Sequence, residues 1–268
     1  MHALPIPENR TRKCDQCLVR HRALCGAAEA AALDELNRIA HVRTFPAGSS
    51  IITAEEPMPF VGNIRSGVVK LTKVMADGRH QIVGLLFASD FVGRAYETHW
   101  RFSAEAATDV EMCTFDRKGL ERVLGDHPEL EHHLLVETLD ELDAARDWMV
   151  LLGCKSAEEK VASFLAFIAR RAINEGYCTV PAGGSGGDAA AFELPISRAD
   201  MAAYLGTTVE TVSRQITRLK TAHVIRLTDM HHFTVPDMDR LVAVAGFDEL
   251  PDKATGRQLA GGGNDPAG

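Results

Sequence analysis

Between Arg43 and Arg117 the chain alternates short apolar runs with glycines, and this pattern limits the possible fold more than any other feature. The runs Val68–Leu71 and Ile82–Phe87 each have the length of one strand, and Asp77-Gly78 between them is typical of a hairpin turn. Glycines recur through the region at Gly48, Gly62, Gly67, Gly78, Gly84 and Gly93. Many short strands with regular turns predict an antiparallel roll or barrel.

A long helix is predicted after this region. It begins at Pro128 and runs through Leu152, with Gly153 as its end. One apolar stripe at helical spacing consists of Leu135, Leu139, Leu142, Met149 and Leu152. A second stripe is small and acidic, and consists of Asp140, Ala144, Asp147 and Leu151. The residues alone allow this second stripe to be either a solvated face or a contact surface.

The chain of 268 residues is long enough for two compact domains. Ser156 and Glu159 form a capping-box pattern that predicts a further helix to about Asn174, and 181–188 reads as a flexible hairpin tip. The Gly/Pro/Asp-rich end predicts disorder. The predicted divisions are a cysteine-bearing segment, a β-roll, a long helix, a C-terminal domain and a tail, at 1–28, 29–128, 129–153, 154–249 and 250–268.

Residues 197–235 carry the pattern of a winged helix-turn-helix. Ser197–Leu205 predicts a first helix, Gly206 a tight turn, and Thr207–Thr221 a second helix. The second helix has a predicted buried stripe of Val209, Val212, Ile216 and Leu219, and a hairpin over 224–235 would form the wing. Its predicted exposed face carries Glu210, Ser213, Arg214 and Arg218.

Charge distribution agrees with a DNA-binding role for this segment. The chain has a net charge of −8, but Ser197–Leu227 contains five cations and two carboxylates, a local charge of +3. The first part of the second helix enters the major groove in this motif. There Arg214 can pair with guanine and Glu210 can accept from cytosine, although Glu210 also fits a capping-box acid paired with Thr207.

Three cysteines lie close together near the N-terminus with the spacing C-x2-C-x7-C, at Cys14, Cys17 and Cys25. Five cations surround them and favour the thiolate form: Arg10, Arg12, Lys13, Arg20 and Arg22. Tetrahedral zinc and a 4Fe–4S cluster both accept four thiolates, so this spacing does not decide which of the two would bind. Cys154 and Cys178 are interpreted as small core residues, and the pairs His132-His133 and His231-His232 as solvated or core histidines.

Several classes of protein are disfavoured. No apolar run could cross a bilayer, and the N-terminus lacks the apolar region of a signal peptide, so a cytoplasmic protein without membrane contact is expected. No nucleophile–base pair or phosphate-binding loop occurs at suggestive spacing, so an enzyme is not expected.

Two segments resemble the CRP/FNR superfamily, and in particular its FNR-type oxygen-sensing regulators (the FnrL/FixK-like branch). They are Gln81–Gly93, similar to part of a cyclic-nucleotide-binding-type roll, and the Glu-x-x-Ser-Arg pattern ending at Arg214. The resemblance implies an α+β fold: an N-terminal antiparallel β-roll like cyclic-nucleotide-binding domains, a long dimerisation helix and a C-terminal winged helix-turn-helix. It also implies that an oxygen-labile 4Fe–4S cluster is held by Cys14, Cys17, Cys25 and Cys113.

The resemblance further implies a homodimer on a double-stranded palindrome of the TTGAT…ATCAA type, with RNA polymerase as a partner. Asp147 would meet its counterpart across the dimer, where like charges oppose pairing unless the cluster is intact. Cyclic nucleotide is not an expected ligand, because Arg94 follows Gly93 where nucleotide-binding relatives have Glu, and Phe102-Ser103 stands in place of their Arg-Ser pair. Two departures from the family pattern are the wider gap between Cys17 and Cys25, and Ser89 in place of a glycine.

Overall fold

A computed structural model describes Cys14, residues 17–175 and residues 191–247, without the side chains of 174 and 175. The predictions for 181–188, for Cys178, for the tail from 250 and for most of the N-terminal cations lie outside these residues. The backbone divides into two compact units, one of 1–73 with 85–134 and one of 74–84 with 135–268. The first unit contains most of the strands, and the second contains the helix-turn-helix.

Eight strands among the described residues form the predicted antiparallel roll, in two sheets. One sheet has the order β1-β8-β3-β6 and the other has the order β2-β7-β4-β5. The strands are β1 Ala40–Phe45, β2 Ser50–Ile52, β3 Phe60–Ser66, β4 Val69–Val74, β5 His80–Leu86, β6 Phe91–Val92, β7 Ser103–Ala106 and β8 Val110–Asp116. The predicted turn at Asp77-Gly78 connects β4 to β5, and Gly78 has the positive φ of 84° that such turns require.

The first sheet owes its close packing to Gly62 on β3. In the β3–β8 register Asn63 is opposite Cys113, and in the β1–β8 register Val42 is opposite Cys113. A Cβ added at Gly62 would lie 2.3 Å from the backbone oxygen of Cys113, closer than any real contact. The absence of a side chain at Gly62 therefore allows β3 to approach the strand that carries Cys113.

Helices precede and follow the strands of the roll along the chain. A 3₁₀ turn at Leu24–Ala27 precedes α1 at Ala30–Ile39, and α2 at Arg117–Asp126 follows β8. The side chains of Leu24, Leu36 and Leu120 are fully buried in one core with the strands. The 3₁₀ turn ends at Ala27, and α1 begins three residues later at Ala30.

The long helix α3 spans Pro128–Cys154, two residues beyond the predicted end. Gly153 lies inside this helix, so the prediction that Gly153 ends it is wrong. The next helix α4 spans Ala157–Glu175 and begins with the predicted capping box, in which the Ser156 N–H donates to Glu159 Oε2 at 2.7 Å. The break between the helices is thus made by the cap of α4.

The second unit contains the predicted winged helix-turn-helix. Its helices are α5 Arg198–Leu205, α6 Val209–Thr221 and α7 Met238–Val244. Its small sheet has the order β10-β11-β9, formed by β9 Ala191–Glu193, β10 Arg226–Leu227 and β11 His232–Thr234. Trp148 of α3 stacks on Tyr204 of α5 with ring centroids 4.3 Å apart, which links the long helix to this domain.

Candidate functional site

Four cysteines from two distant parts of the chain line one pocket. Cys14 and Cys17 lie in a turn, Cys25 lies in the 3₁₀ turn, and Cys113 lies on β8. Cys14 and Cys25 are buried, whereas Cys17 and Cys113 are half-buried. The other lining residues are Val19, Arg20, Ala23, Val42, Asn63 and Arg65.

Local contacts hold the cysteine-bearing segment against the roll. The Cys17 N–H donates to the Cys14 carbonyl at 3.4 Å, and the Arg20 N–H donates to the Cys17 carbonyl at 3.3 Å. The Cys14 thiol donates to Asn37 Oδ1 on α1 at 3.7 Å. Leu24, beside Cys25, has no exposed surface and anchors the segment in the core. Turn hydrogen bonds and the buried side chains of Val19, Ala23 and Leu24 thus hold the three thiols in place.

Burial raises the pKa of the Cys25 thiol far above its ordinary value, and the charges of Cys113, Cys14 and Cys17 raise it further. The Cys25 thiol therefore keeps its proton at neutral pH, and a metal centre bound here must displace that proton. The donor set itself fits such a centre, since four cysteine sulfurs suit zinc or an iron–sulfur cluster. Within Cys14, 17–175 and 191–247, no three His, Cys, Asp or Glu side chains are arranged to hold one metal ion.

The sheet side of the pocket carries polar residues that the sequence reasoning missed. Asn63 is 2% exposed, and its Nδ2 donates to the Ser89 carbonyl at 3.1 Å. Arg65 Nη1 pairs with Glu111 Oε1 at 2.9 Å. The register of β3 shifts between Ile64 and Ser66, so simple alternation does not place Arg65, and no sequence pattern marks either residue as lying beside the cysteines.

The helix-turn-helix has the expected end signals. The Ser197 side chain accepts from the Asp200 N–H at 3.0 Å, and the Asp200 carboxylate accepts in return from the Ser197 backbone. Gly206 ends α5 in the left-handed region, with φ 60° and ψ 43°, which few other residues adopt. These local interactions set the turn between α5 and α6.

Helix α6 presents three of the predicted DNA-contacting residues together. Glu210, Ser213 and Arg214 are exposed, and their spacing places them on one side of the helix. The buried side consists of Val212, Gln215, Ile216 and Leu219. The prediction that Val209 is buried is wrong. Val209 is the first residue of α6, and its side chain is 43% exposed.

Arg218 and Glu210 on the exposed face of α6 both have protein partners. Arg218 Nε lies 3.2 Å from Glu158 Oε1 of α4, in a largely exposed ion pair. The helix cap is Thr208, whose hydroxyl accepts from the Thr211 N–H, so the prediction of Thr207 as the capping partner of Glu210 is wrong. Hydrogen bonds from its own backbone N–H and from the Thr208 hydroxyl lower the pKa of Glu210 below its ordinary value. Glu210 is therefore a ready acceptor on the exposed face.

The long helix α3 exposes an apolar stripe. Within the described residues, Leu135, Leu139, Leu142 and Met149 are between 44% and 71% exposed. In the second predicted stripe Asp147 is exposed and Asp140 and Ala144 are half-buried, but Leu151 is only 5% exposed. Leu151 therefore packs within its own chain, whereas Asp147 and the leucine–methionine stripe are both exposed on α3.

Other sequence interpretations have mixed outcomes. Cys154 is exposed at the end of α3, so its interpretation as a core residue is wrong. His132, His231 and His232 are exposed, as predicted, and His232 pairs with Asp229 at 2.8 Å. None of the helices in the part of the chain that the structure describes combines the length and apolarity needed to span a bilayer.

A β-roll joined by a long helix to a winged helix-turn-helix defines a transcription regulator with a sensor domain. Residues 42–127 match the cyclic nucleotide-binding domain family, and residues 159–244 match the Crp-like helix-turn-helix domain family. FnrL of Cereibacter sphaeroides, a transcriptional activator protein, is 43% identical over 92% of this chain and 96% of its own length. The chain belongs to the FnrL/FixK-like branch of the CRP/FNR superfamily of transcription regulators.

Further relatives support the same assignment. A Rhizobium leguminosarum bv. viciae protein named "Probable transcriptional activator" is 49% identical over 85% of this chain and 91% of its own length. The structure of FixK2 from Bradyrhizobium japonicum matches with a TM-score of 0.67 at 30% identity, over 77% of this chain and 97% of that structure. The predicted fold class and the prediction that the chain is not an enzyme are both confirmed.

Proposed function

We propose that the chain is an oxygen-responsive transcription regulator in which Cys14, Cys17, Cys25 and Cys113 hold a 4Fe–4S cluster. The observation that carries this proposal is the meeting of these four cysteines, and of no other described cysteine, around one pocket. A 4Fe–4S cluster takes four thiolates and supplies a centre that dioxygen can attack. Each cysteine would contribute one thiolate.

The positions of the cysteines suggest how the cofactor acts on the protein. Three lie on the N-terminal segment, and Cys113 lies on β8 within the sheet. Bonds from both parts to one cofactor would tie the segment to the roll. Their loss would leave the segment held by its turn hydrogen bonds, by the Cys14–Asn37 hydrogen bond and by the burial of apolar side chains such as Leu24. The ordered segment is thus the element that oxygen would release.

Dimerisation along α3 completes the proposed switch. The predicted dimer contact is the second stripe, in which Asp140, Ala144 and Asp147 would meet the same residues of a second copy, while Leu151 packs within its own chain. The exposed stripe of Leu135, Leu139, Leu142 and Met149 lies on the opposite side of α3 at helical spacing. Repulsion between two Asp147 carboxylates would keep the cluster-free dimer weak, and the cluster-bound segment would favour pairing.

Such a dimer would read a palindrome in the cytoplasm, where the DNA lies. Two α6 helices about 34 Å apart would enter successive major grooves of a TTGAT-N4-ATCAA-type site. Arg214 would pair with guanine, Glu210 would accept from cytosine N4, and Ser213 and Arg218 would contact base or phosphate. RNA polymerase is the proposed protein partner at the promoter.

The cyclic nucleotide-binding match at 42–127 raises a second ligand to test. We keep the prediction that this chain does not use a cyclic nucleotide, because Arg94 follows Gly93 where the nucleotide-binding relatives have a carboxylate. Isothermal titration of the purified protein with cAMP is expected to show no heat of binding. Saturable binding at micromolar cAMP would contradict this part of the proposal.

The main experiment is anaerobic purification followed by iron and sulfide assay, with visible and EPR spectra before and after exposure to air. The expected result is four irons and four sulfides per chain, lost in air together with dimer mass and with binding to the palindrome. Cys25→Ser is expected to abolish loading, whereas the control Cys154→Ser is expected to load fully. One zinc per chain, with binding unaffected by air, would instead establish the zinc-stabilised alternative.

A further inference from the structure

The sheet face beside the cysteines carries one fixed cation. Asn63 of β3 is opposite Cys113 on β8, and Arg65 lies at the register shift between Ile64 and Ser66 of β3. Both residues line the cysteine pocket. Arg65 is thus two residues along the strand from the residue that faces a proposed ligand.

An ion pair holds the Arg65 side chain in this position. Arg65 Nη1 lies 2.9 Å from Glu111 Oε1, and Glu111 precedes Cys113 by two residues on β8. Arg65 belongs to the pocket lining, whereas among the described residues that lining does not include Glu111. The Arg65 end of the pair therefore lines the pocket.

The Arg65 side chain is only 23% exposed, so its charge is less screened than that of a fully solvated arginine. The reduction potential of a thiolate-ligated cluster depends on nearby charge, on hydrogen bonds to sulfur and on exposure. We infer that Arg65, held by Glu111, is the positioning residue that sets the reduction potential and the lifetime in air of the cluster. This inference rests on the proposed function, because it concerns the contents of the same pocket.

The sign of the effect follows from charge alone. A guanidinium beside the pocket favours the more negative state of its contents, and therefore opposes the removal of an electron by dioxygen. Loss of the Arg65 charge should make the potential more negative and shorten the lifetime in air. Arg20 also lines the pocket, but it lies in a turn of the N-terminal segment, whereas Arg65 is fixed on a sheet strand.

The test uses full-length, anaerobically purified protein and four variants. Arg65→Gln removes the charge and Arg65→Lys keeps it, while Arg20→Gln removes the other pocket arginine. The matched control is Lys70→Gln, because Lys70 pairs with Glu105 at the same distance of 2.9 Å in the other sheet. For each variant, iron and sulfide are assayed, the potential is measured by EPR-monitored redox titration, and the loss of visible absorbance in air is timed.

We expect Arg65→Gln to have a more negative potential and to lose its cluster several-fold faster in air. Arg65→Lys and Lys70→Gln should stay close to the wild type, and Arg20→Gln should change less than Arg65→Gln. If Arg65→Gln binds no cluster at all, a loaded and wild-type-like Arg65→Lys still supports the role of the charge, and an empty Arg65→Lys overturns it.

Failure of the inference can be told from failure of the proposed function. A loaded wild type with an unchanged Arg65→Gln, or an equal change in Lys70→Gln, overturns the role of Arg65 and leaves the cluster in place. A larger effect from Arg20→Gln than from Arg65→Gln also overturns it. A wild type without iron or sulfide removes the proposed function, and the inference falls with it.

Discussion

The helix-turn-helix and the cysteine pocket are built in opposite ways. Contacts between near neighbours define the first, since Ser197 and Asp200 cap α5, Gly206 makes the turn and Thr208 caps α6. The pocket instead needs a strand and a segment that are remote in sequence, because Cys113 on β8 must face Cys14, Cys17 and Cys25. The DNA-reading region can thus be specified locally, whereas the sensing region depends on the whole roll.

This difference separates a stable part from a responsive part. The α5–α6 pair is held by caps and by a buried apolar stripe, none of which involves the cysteines. The N-terminal segment has a few turn hydrogen bonds and the buried apolar side chains of Val19, Ala23 and Leu24, and its thiols offer bonds to a cofactor. Release of the cysteine-bearing segment can leave the helix-turn-helix folded only if the two parts are stabilised by separate contacts.

The largest expected effect follows Cys113→Ser. Serine at this position removes the thiolate that β8 contributes, so most of the iron should be absent after anaerobic reconstitution, and palindrome binding should fall to the level of the aerobic protein. Inductively coupled plasma analysis and gel-shift titration measure the two outcomes. Cys154→Ser is the control, because Cys154 is exposed and does not line the pocket. Full iron content in Cys113→Ser would contradict the view that the cysteine pocket, unlike the helix-turn-helix, depends on a residue remote in sequence.

The next largest effect tests DNA recognition by α6 without involving the cysteine pocket. Arg214→Ala should cost about 1–3 kcal/mol of binding per half-site and relax specificity at one base pair, because a bidentate contact to guanine is lost. Titration against a set of single-base variants of the palindrome measures both. The control Arg240→Ala, at an exposed position on α7, should change little. A uniform loss across all variants would identify Arg214 as a phosphate contact instead.

A third variant tests the packing that positions Cys113. Gly62→Ala would place a Cβ 2.3 Å from the Cys113 backbone oxygen, and the strands must separate to accept it. We expect a loss of about 1–3 kcal/mol in the free energy of unfolding of the roll, measured in urea. Gly125→Ala on α2 is the control, since a Cβ there meets nothing within 4 Å. Equal stability of the two variants would contradict the close approach.

The smallest expected effect concerns dimerisation. Asp147→Ala should lower the dissociation constant of the cluster-free dimer several-fold, because it removes a repulsive charge from the proposed dimer contact on α3. Sedimentation equilibrium of aerobic protein measures it, with Ala144→Glu as the opposing variant that adds a like charge to that contact and should weaken pairing. An unchanged monomer mass for Asp147→Ala would remove electrostatic repulsion from the switch.

Much of the fold could be predicted because its signals are short in range. The Asp77-Gly78 turn, the Ser156–Glu159 capping box and the start of α3 at Pro128 all lie where the residues indicate. Predictions were wrong where two local signals competed, as at Gly153, which remains helical, and at Thr207, where the neighbouring Thr208 supplies the cap. Val209 and Cys154 are exposed because apolarity alone does not say which side of an element faces a core.

By itself the sequence determined the element order, the α5–α6 turn, the exposed positions Glu210, Ser213 and Arg214, and a set of cysteines able to bind a metal centre. Only the tertiary structure decided that Cys113 joins the N-terminal three around one pocket, that Arg65 and Asn63 form part of its wall, and that Leu151 is turned into its own chain. The physical reason is that caps and turns depend on residues a few positions apart. The neighbours of a side chain on a sheet depend instead on strand register, which is settled only when the roll packs as a whole.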